Sequence, residues 1–471
     1  MKPGRITFFF ACVIVALAVI CAIFPSDGVT VGRHSFYLPS LHELAEASRS
    51  SADEEAQAKA DSILAEMAQL SDSIVCLQTF SDSSDIRFWL PDSLYFASFW
   101  EAAEKAAEQG RIIRILHYGD SQIEMDRMTA QLRSYMQETF GGGGPGMIPY
   151  RTIIPTLAIS QSASGSLTHL SSFGDSTVTR SRGNYGPMMQ SFRMSGEASV
   201  RLRAATHASV DDHVKAFSNI RLVYNNKSGT LKSSLTDRQS KVSDSRETTT
   251  EGVGSMAWSL DSATTSLNLS THGYADLYCV TVDNGPGVAV DNIPMRGCSG
   301  QQFTAVDRNL LTQAYAQLDV GIIILQFGGN SVPYLNSTKA ISTYCQSMGK
   351  QIDYLHRCCP KAKILFIGPS DMSTRHKGVL QTYPMLPTLI DSLIATANCH
   401  DAAYWSIYHA MGGWNSMVHW NNRGLAGSDY IHFSQRGADK MGGKLAQAFA
   451  DNYQLFCLRR RLNTHNENQS R

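Results

Sequence analysis

The sequence predicts an α/β protein whose parallel sheet is interrupted by a β-rich insert and preceded by a membrane-spanning helix. The sheet is predicted from continuous apolar runs, such as Gly321 to Phe327 (GIIILQF) and Lys363 to Ile367 (KILFI), which alternate with helical stretches. Such runs are typical of strands buried on both faces, and their alternation with helices predicts a parallel sheet covered on both sides. Residues 156–282 are dense in Ser and Thr and lack helical periodicity, which favours a β-sandwich-like insert.

The membrane span is predicted from an uncharged block between Ile6 and Phe24. A helix of this length covers about 28 Å, close to the thickness of the bilayer core. Lys2 and Arg5 precede the block, so the N-terminus is expected to stay in the cytoplasm while the rest is exported. A cleaved signal peptide, with a weak site at Ala16-Leu17-Ala18, is the alternative. The protein is therefore expected to be anchored in the inner membrane facing the periplasm, or to be secreted.

The remaining organisation follows from shifts in composition along the chain. An Ala- and Glu-rich stretch from Leu41 to Leu70 has a helical pattern with a weak apolar face, which indicates a spacer. The predicted segments are a signal anchor at 1–25, a helical spacer at 26–90, an α/β domain in two parts at 91–155 and 283–456, the insert at 156–282 and a polar tail at 457–471.

The composition is that of a globular protein without a charge surplus. Of 471 residues, 43% are hydrophobic and 17% charged, and 41 Lys and Arg balance 41 Asp and Glu. Disordered chains are charge-rich and apolar-poor, and nucleic-acid-binding proteins usually carry a basic surplus. The composition therefore argues against a disordered protein and against nucleic acid as a partner.

A serine follows the first strand of the α/β domain. The β-branched run Arg111 to Leu116 ends in His117-Tyr118-Gly119-Asp120-Ser121, and a helical stretch follows. Parallel sheets place ligand chemistry at the carboxyl ends of their strands, so Ser121 Oγ is expected at that edge, near a helix N-terminus that favours a developing anion. The second copy of the triplet, Gly174-Asp175-Ser176, has no buried strand before it and no helix after it, and we interpret it as a loop.

An Asp-x-x-His pair near the C-terminus supplies the base that a serine nucleophile needs. Asp429 lies three residues before His432, which puts the carboxylate beside the imidazole if both lie on one turn. The carboxylate then holds the Nδ1 proton and leaves Nε2 to face Ser121. A surface pair that caps the next helix is the competing interpretation.

Two further positions offer hydrogen-bond donors to an oxyanion. Asn330 follows the buried run GIIILQF, so its amide is expected at the same sheet edge. Gly300 ends the turn Arg296-Gly297-Cys298-Ser299-Gly300, where the missing side chain allows a close approach of the backbone N–H to a substrate. A turn-forming Asn330 and a simple loop at Gly300 are the alternatives.

These four blocks, in this order, resemble the SGNH (GDSL-type) hydrolase family. The blocks are Gly119-Asp120-Ser121, Gly300, Gly329-Asn330 and Asp429 to His432, and the resemblance covers residues 91–155 and 283–455. It implies a flavodoxin-like three-layer α/β/α fold with Ser121 as nucleophile, His432 as general base and Asp429 as its partner. It also implies an oxyanion hole formed by the Ser121 N–H, Gly300 and Asn330.

Longer stretches resemble exported bacterial members of this family that carry an inserted β-domain, among them peptidoglycan and polysaccharide O-acetylesterases. The stretches are HYGDSQIEMDR, FGGGGPGMIP, GVAVDNIPMRGCSG, LQFGGN, AMGGWNSM and DYIHFS. The resemblance implies a serine esterase that acts on an acylated cell-envelope glycan without a metal or organic cofactor. An O-acyltransferase with the same triad and a non-catalytic glycan-binding protein are the alternatives. Gln122 departs from the Leu of the GDSL name, and Ser331 from the acidic residue that often follows Asn330.

Several other features receive a structural interpretation. The run Gly141 to Gly146 follows a helix and lacks a Lys-Ser/Thr, so it is interpreted as a helix exit beside the active site and not as a phosphate loop. Trp414 and Trp420 are expected in core or loop packing, with a sugar-stacking wall as the alternative. His117 is expected to be buried, and Asp126-Arg127 to form an ion pair or to start a helix. The ten Cys residues do not have the spacing of a zinc site, and they are expected either to form disulfides or to be buried free thiols.

Overall fold

The structure is a computed structural model that describes residues 87–469, except 175–178, 182, 208–209 and 238–242, and short stretches between residues 12 and 36. Most of the predicted span and spacer lies outside the described residues. No helix among the described residues is both long and apolar enough to cross a bilayer. Met1–Asp82 and Ser83–Arg471 are separate units, and in the first Val29–Val31 pairs with His34–Phe36 in antiparallel fashion.

The second unit contains both the α/β domain and the insert. Its strands are β1 (Phe88–Trp89), β2 (Ile112–Gly119), β3 (Gly146–Ile148), β4 (Ile159–Ser171), β5 (Gln190–Ala204), β6 (Phe217–Asp237), β7 (Ser243–Thr248), β8 (Gly252–Thr264), β9 (Ser266–Asp283), β10 (Gly287–Pro294), β11 (Val320–Gln326), β12 (Lys363–Gly368), β13 (Ser373–His376), β14 (Val379–Thr382) and β15 (Ala403–Ser406). Its α-helices are α1 (Ala97–Ala106), α2 (Thr129–Phe140), α3 (Arg308–Ala316), α4 (Thr338–Cys358), α5 (Leu386–Cys399), α6 (Ile407–Met411), α7 (Ser416–Asn422) and α8 (Gln435–Gln469).

A six-stranded sheet in the order β10-β2-β11-β12-β15-β1 forms the α/β domain. The first five of these strands are parallel, and β1 pairs with β15 in antiparallel fashion. Strands such as β11 (VGIIILQ) read as continuous apolar runs because helices cover both of their faces. The predicted parallel sheet is confirmed, although β1 lies inside the segment assigned to the spacer.

Alternate residues of each central strand enter two different cores. Leu325 and Phe366 pack on one face with α3, α4 and α5, whereas Ile324 and Leu365 pack on the other face with α1, α2 and α8. This division follows from the two-residue period of a strand. The result is the predicted three-layer α/β/α arrangement.

The insert is one bent antiparallel sheet in the order β8-β6-β9-β5-β4, with β3 beside β9 and β7 beside β6. The 21-residue strand β6 pairs with β8 through its first half and with β7 through its second. Irregularities near Gly273 shift the register between β6 and β9, and such bulges bend a sheet. Leu222 and Leu235, from the two halves of β6, share one core. The insert therefore differs from a sandwich of two sheets, because bending closes its core.

Buried charges join the insert to the α/β domain. Arg114 of β2 donates to Asp291 of β10 (Nη1–Oδ1, 2.8 Å) and to Asp283 at the end of β9. Both carboxylates are buried, and desolvation raises the pKa of Asp283 against the opposing charge of Arg114. The ion pairs fix β9 against the edge of the six-stranded sheet.

Three predictions about the periphery need correction or narrowing. The glycine run was expected beside the active site, but it begins at the amino end of β10, where the Val288 N–H donates to Gly141 O (3.0 Å). Ser121 follows the carboxyl end of the parallel strand β2, so the start of the run and Ser121 lie at opposite ends of these strands. The predicted polar tail continues α8 as far as Gln469, because Phe456 is buried and Arg460 pairs with Glu104. All eight described cysteines are free thiols, four of them buried.

Candidate active site

Ser121 opens a short 3-10 turn, Ser121–Asp126, at the carboxyl end of β2. Asp120 caps this turn, since its Oδ1 accepts the Gln122 N–H at 3.0 Å. Met125, Asp126 and Met128 have positive φ angles of 59°, 66° and 57°. Each such non-glycine residue costs on the order of 1–3 kcal/mol, so the turn persists only where its surroundings hold it.

A buried ion pair supplies that support. The guanidinium of Arg133 on α2 binds the Asp126 carboxylate in bidentate fashion and also donates to Val290 O (Nε–O, 2.7 Å). Both side chains are almost fully buried. Of the two expectations for Asp126-Arg127, the ion pair between them is wrong, and both residues lie just before α2 begins at Thr129. Arg127 donates to the carbonyls of Ser121 (2.6 Å), Glu124 (3.0 Å) and Phe433 (3.3 Å).

The structure brings Ser121, His432 and Asp429 together as a hydrogen-bonded chain. Ser121 Oγ lies 2.8 Å from His432 Nε2, and His432 Nδ1 lies 2.7 Å from Asp429 Oδ2. The other carboxylate oxygen, Asp429 Oδ1, accepts the N–H groups of Ile431 (3.0 Å) and His432 (3.1 Å). The pair is hydrogen-bonded to Ser121, and it is Ser434 that accepts an N–H of the first turn of α8 (Gly437 N–H to Ser434 Oγ, 3.3 Å). The role of His432 as a general base stays a prediction.

The hydrogen bonds to Asp429 keep it ionised. Partial burial acts to raise its pKa, but the hydrogen bonds from the His432 ring and from the two backbone N–H groups outweigh this effect and lower the pKa. An ionised Asp429 accepts the Nδ1 proton, so Nε2 carries the lone pair that faces Ser121 Oγ. This tautomer is the one that a general base requires.

Asn330 lines the same cavity as Ser121 and His432. It follows β11 on the short turn Gly329–Tyr334, and its Nδ2 donates to Cys298 O (3.0 Å) and to Asp120 Oδ2 (3.3 Å). These two bonds use both amide protons. Donation to an oxyanion therefore requires the longer bond, to Asp120, to be shared or released.

Gly300 lies behind the cavity wall. Its φ is +87°, and a Cβ at this position would come within 2.8 Å of the Phe327 ring, so only glycine fits. Phe327 lines the cavity, whereas Gly300 is not among the lining residues. A role for the Gly300 N–H as an oxyanion donor stays a prediction.

Two residues of the nucleophile block hold other parts of the site in place, and sequence reasoning missed both. The Gln122 amide donates to Ile431 O (2.7 Å) and accepts the Phe433 N–H (3.3 Å), so it clamps the loop that carries His432. Asp120 holds Asn330, and burial raises the Asp120 pKa to about 6 against the opposing hydrogen bond from the Gln122 N–H. The sequence signals were the place of Asp120 in the Gly119-Asp120-Ser121 block and the departure at Gln122.

Two of the remaining candidates, His117 and Trp420, are buried in the core. His117 is fully buried between Gln326 Oε1 and Thr129 Oγ1, each 3.0 Å away, as expected, and burial lowers its pKa to about 4. Trp420 is buried beside Phe433. Trp414 is exposed and does not line the cavity, and Ser176 lies outside the described residues.

One group of described side chains has metal-ligating chemistry outside this site. Glu138, Asp211 and His213 lie within reach of a common point in a second cavity of about 800 Å³. His213 Nδ1 already contacts Asp211 Oδ1 at 2.8 Å, and Ser134 Oγ, which has one proton to donate, lies within hydrogen-bond distance of both Glu138 and Asp211. None of these residues lines the Ser121 cavity.

The Ser121 cavity has a volume of about 210 Å³. Its walls combine the polar groups described above with apolar side chains from three loops of the sheet edge. These are Pro333, Pro369, Met372 and Ile407.

The fold resembles that of a solved esterase. The chain matches the structure of a peptidoglycan O-acetylesterase with a TM-score of 0.60 and 20% identity, over 76% of this chain and 96% of that chain. The chain has the fold of a peptidoglycan O-acetylesterase. This confirms the fold that the four sequence blocks predict.

Other matches are more distant. A family 2 carbohydrate esterase with a carbohydrate-binding domain from Corynascus thermopiles (Myceliophthora fergusii) matches with a TM-score of 0.26 and 12% identity, over 62% of this chain and 99% of that chain. A family two carbohydrate esterase from Cellvibrio japonicus matches with a TM-score of 0.26 and 8% identity, over 63% and 99%. No protein-family model and no curated protein sequence matches the chain.

Proposed function

We propose that the protein is a serine esterase that removes O-acyl groups, in the first place O-acetyl groups, from a cell-envelope glycan such as peptidoglycan. The observation that carries this proposal is the hydrogen-bonded chain from Ser121 through His432 to Asp429 at the mouth of a small cavity. The likeness of the fold to a peptidoglycan O-acetylesterase supports the substrate class.

The reaction proceeds through an acyl-enzyme. Ser121 Oγ attacks the ester carbonyl while His432 Nε2 takes its proton, and the Asp429 carboxylate stabilises the imidazolium. The Ser121 N–H, the Asn330 amide and the Gly300 N–H are the proposed donors to the tetrahedral oxyanion. His432 then gives this proton to the sugar oxygen as the C–O bond to the sugar breaks, so the sugar leaves as its free alcohol, and water, activated by the same imidazole, releases the acid.

We also propose that this reaction takes place outside the cytoplasm. The apolar block from Ile6 to Phe24 would anchor the protein in the inner membrane, facing the periplasm, or direct its secretion if it is cleaved. The insert would help to hold the polymer, since the outer face of its antiparallel sheet offers a surface beside the α/β domain.

Acetate release from O-acetylated peptidoglycan by the full-length chain tests the proposal. Ser121→Ala is expected to lower the rate by at least about 10³-fold, since it removes the nucleophile. Ser176→Ala, in the second Gly-Asp-Ser triplet, is the matched control and should keep the parental rate. Equal rates for Ser121→Ala and the parent would contradict the proposal, and transfer of acetyl to an added acceptor sugar without acetate release would identify a transferase.

A further inference from the structure

Tyr334 is an exposed aromatic residue in the wall of the Ser121 cavity. Its exposed fraction is 78%, the highest among the large hydrophobic residues that the structure describes. Within the described part of the chain, its hydroxyl has no hydrogen bond and its ring no aromatic partner. The protein itself therefore covers little of this side chain and leaves it available to a ligand.

The backbone below Tyr334 is held firmly. The N–H groups of Ser331 and Val332 donate to Gly328 O (2.9 and 3.2 Å), and the Leu335 N–H donates to Val332 O (3.3 Å). Val332 and Leu335, on either side, are buried in the core. Single exposed apolar residues are common on protein surfaces, but this one sits on an anchored turn that also carries Asn330.

The charges around the cavity favour an uncharged ligand. Among the residues that line it, Asp120 is the only carboxylic acid and His432 the only imidazole, and no Lys or Arg is present to bind a phosphate or carboxylate. The volume of about 210 Å³ is below the roughly 300–1,000 Å³ of pockets for drug-sized ligands. An acyl group fits inside, whereas the alcohol half of the ester has to lie at the rim, beside Tyr334.

We propose that Tyr334 forms the stacking face of a subsite for the sugar that carries the ester. The inference rests on the proposed function, because it assumes that the alcohol half is a sugar. One face of a pyranose ring presents C–H groups that pack on an aromatic ring, while its hydroxyls stay in water. Tyrosine suits such a site because it combines an apolar face with a polar end.

The test compares a glycan ester with an ester that has no sugar. The full-length parent and Tyr334→Ala are assayed on O-acetylated peptidoglycan fragments and on ethyl acetate. Tyr334→Ala is expected to raise KM for the fragments about tenfold, equivalent to about 1.4 kcal/mol, and to leave kcat within about twofold. The kcat/KM for ethyl acetate should stay unchanged. Tyr334→Phe should have the parental KM. Trp414→Ala, which removes an exposed aromatic side chain outside the cavity, should leave kcat and KM unchanged for both substrates.

A second measurement separates failure of this inference from failure of the proposed function. Peptidoglycan fragments without O-acetyl groups are used to inhibit ethyl acetate hydrolysis, and Tyr334→Ala should raise their inhibition constant about tenfold. An equal loss on both esters, or unchanged KM and inhibition constants, overturns the stacking role. If the parent cleaves ethyl acetate through Ser121 but not the fragments, the proposed substrate fails, and a Tyr334-dependent inhibition constant would still support the sugar subsite.

Discussion

The two halves of the candidate active site differ in how they are held. The turn after Ser121 is buried and strained, and the ion pair that supports it leaves only 7% of the Asp126 side chain and 2% of the Arg133 side chain exposed. In the loop that carries His432, 47% of the Asp429 side chain and 40% of the His432 side chain are exposed. Ser121 is thus placed by the core, whereas His432 is placed by a few hydrogen bonds at the surface.

If this difference holds, a substitution in the exposed half should affect activity and one in the buried half should affect stability. An Asp→Ala substitution in each half tests this expectation. Asp429→Ala is expected to lower kcat by about 10⁴-fold, because His432 loses the group that fixes its tautomer. Because Asp429 is largely exposed, the free energy of unfolding should change by less than about 0.5 kcal/mol. Ester hydrolysis and urea unfolding of the same preparation measure both quantities.

Asp126→Ala is the counterpart in the buried half. It leaves Arg133 as an unpaired buried charge, which is expected to cost about 3–5 kcal/mol of stability. If Asp429→Ala destabilised the protein as strongly as Asp126→Ala, the contrast between the two halves would not hold.

The buried half should also respond to pH through Asp120. Folding raises the Asp120 pKa from 3.8 to about 6, mainly through burial, so the folded protein binds the proton more tightly than the unfolded chain. The contribution of Asp120 to stability is therefore fully present below pH 4 and is lost as the pH rises to about 6, by at most about 3 kcal/mol. Asp120→Asn removes this titration. The urea midpoint of the parent should gain this contribution at pH 4 relative to pH 7, and the difference between the midpoints at pH 4 and pH 7 should be shifted by the loss of this contribution in Asp120→Asn. An unchanged pH dependence in the variant would argue against the assignment.

The smallest expected effect concerns the clamp between the two halves. Gln122→Leu keeps the side-chain size but removes the hydrogen bonds to Ile431 O and from the Phe433 N–H. A less fixed His432 is expected to lower kcat about tenfold, equivalent to about 1.4 kcal/mol, with KM for ethyl acetate unchanged. Gln435→Leu is the matched control, since the Gln435 side chain bonds only Asp439 on its own helix. Equal kcat values for the parent and Gln122→Leu would show that the base needs no such clamp.

The local pattern of the sequence determined the fold class and singled out the three residues that form the hydrogen-bonded chain, Ser121, His432 and Asp429. A continuous apolar run indicates a strand that is buried on both faces, whichever strands it pairs with. An Asp-x-x-His spacing brings its two side chains together on one turn. The order of the four blocks along the chain then places their chemistry at one sheet edge, because the carboxyl ends of parallel strands meet there.

Only the tertiary structure decided the contacts between segments far apart in the chain. Ser121 and His432 are 311 residues apart, and Gln122 and Ile431 are 309 apart. Their approach depends on strand register and helix packing, which no local pattern encodes. The same reason explains why the pairing of Asp126 with Arg133, the position of Gly300 behind Phe327, the bend of the insert sheet and the exposure of Tyr334 at the cavity rim became visible only in the folded chain.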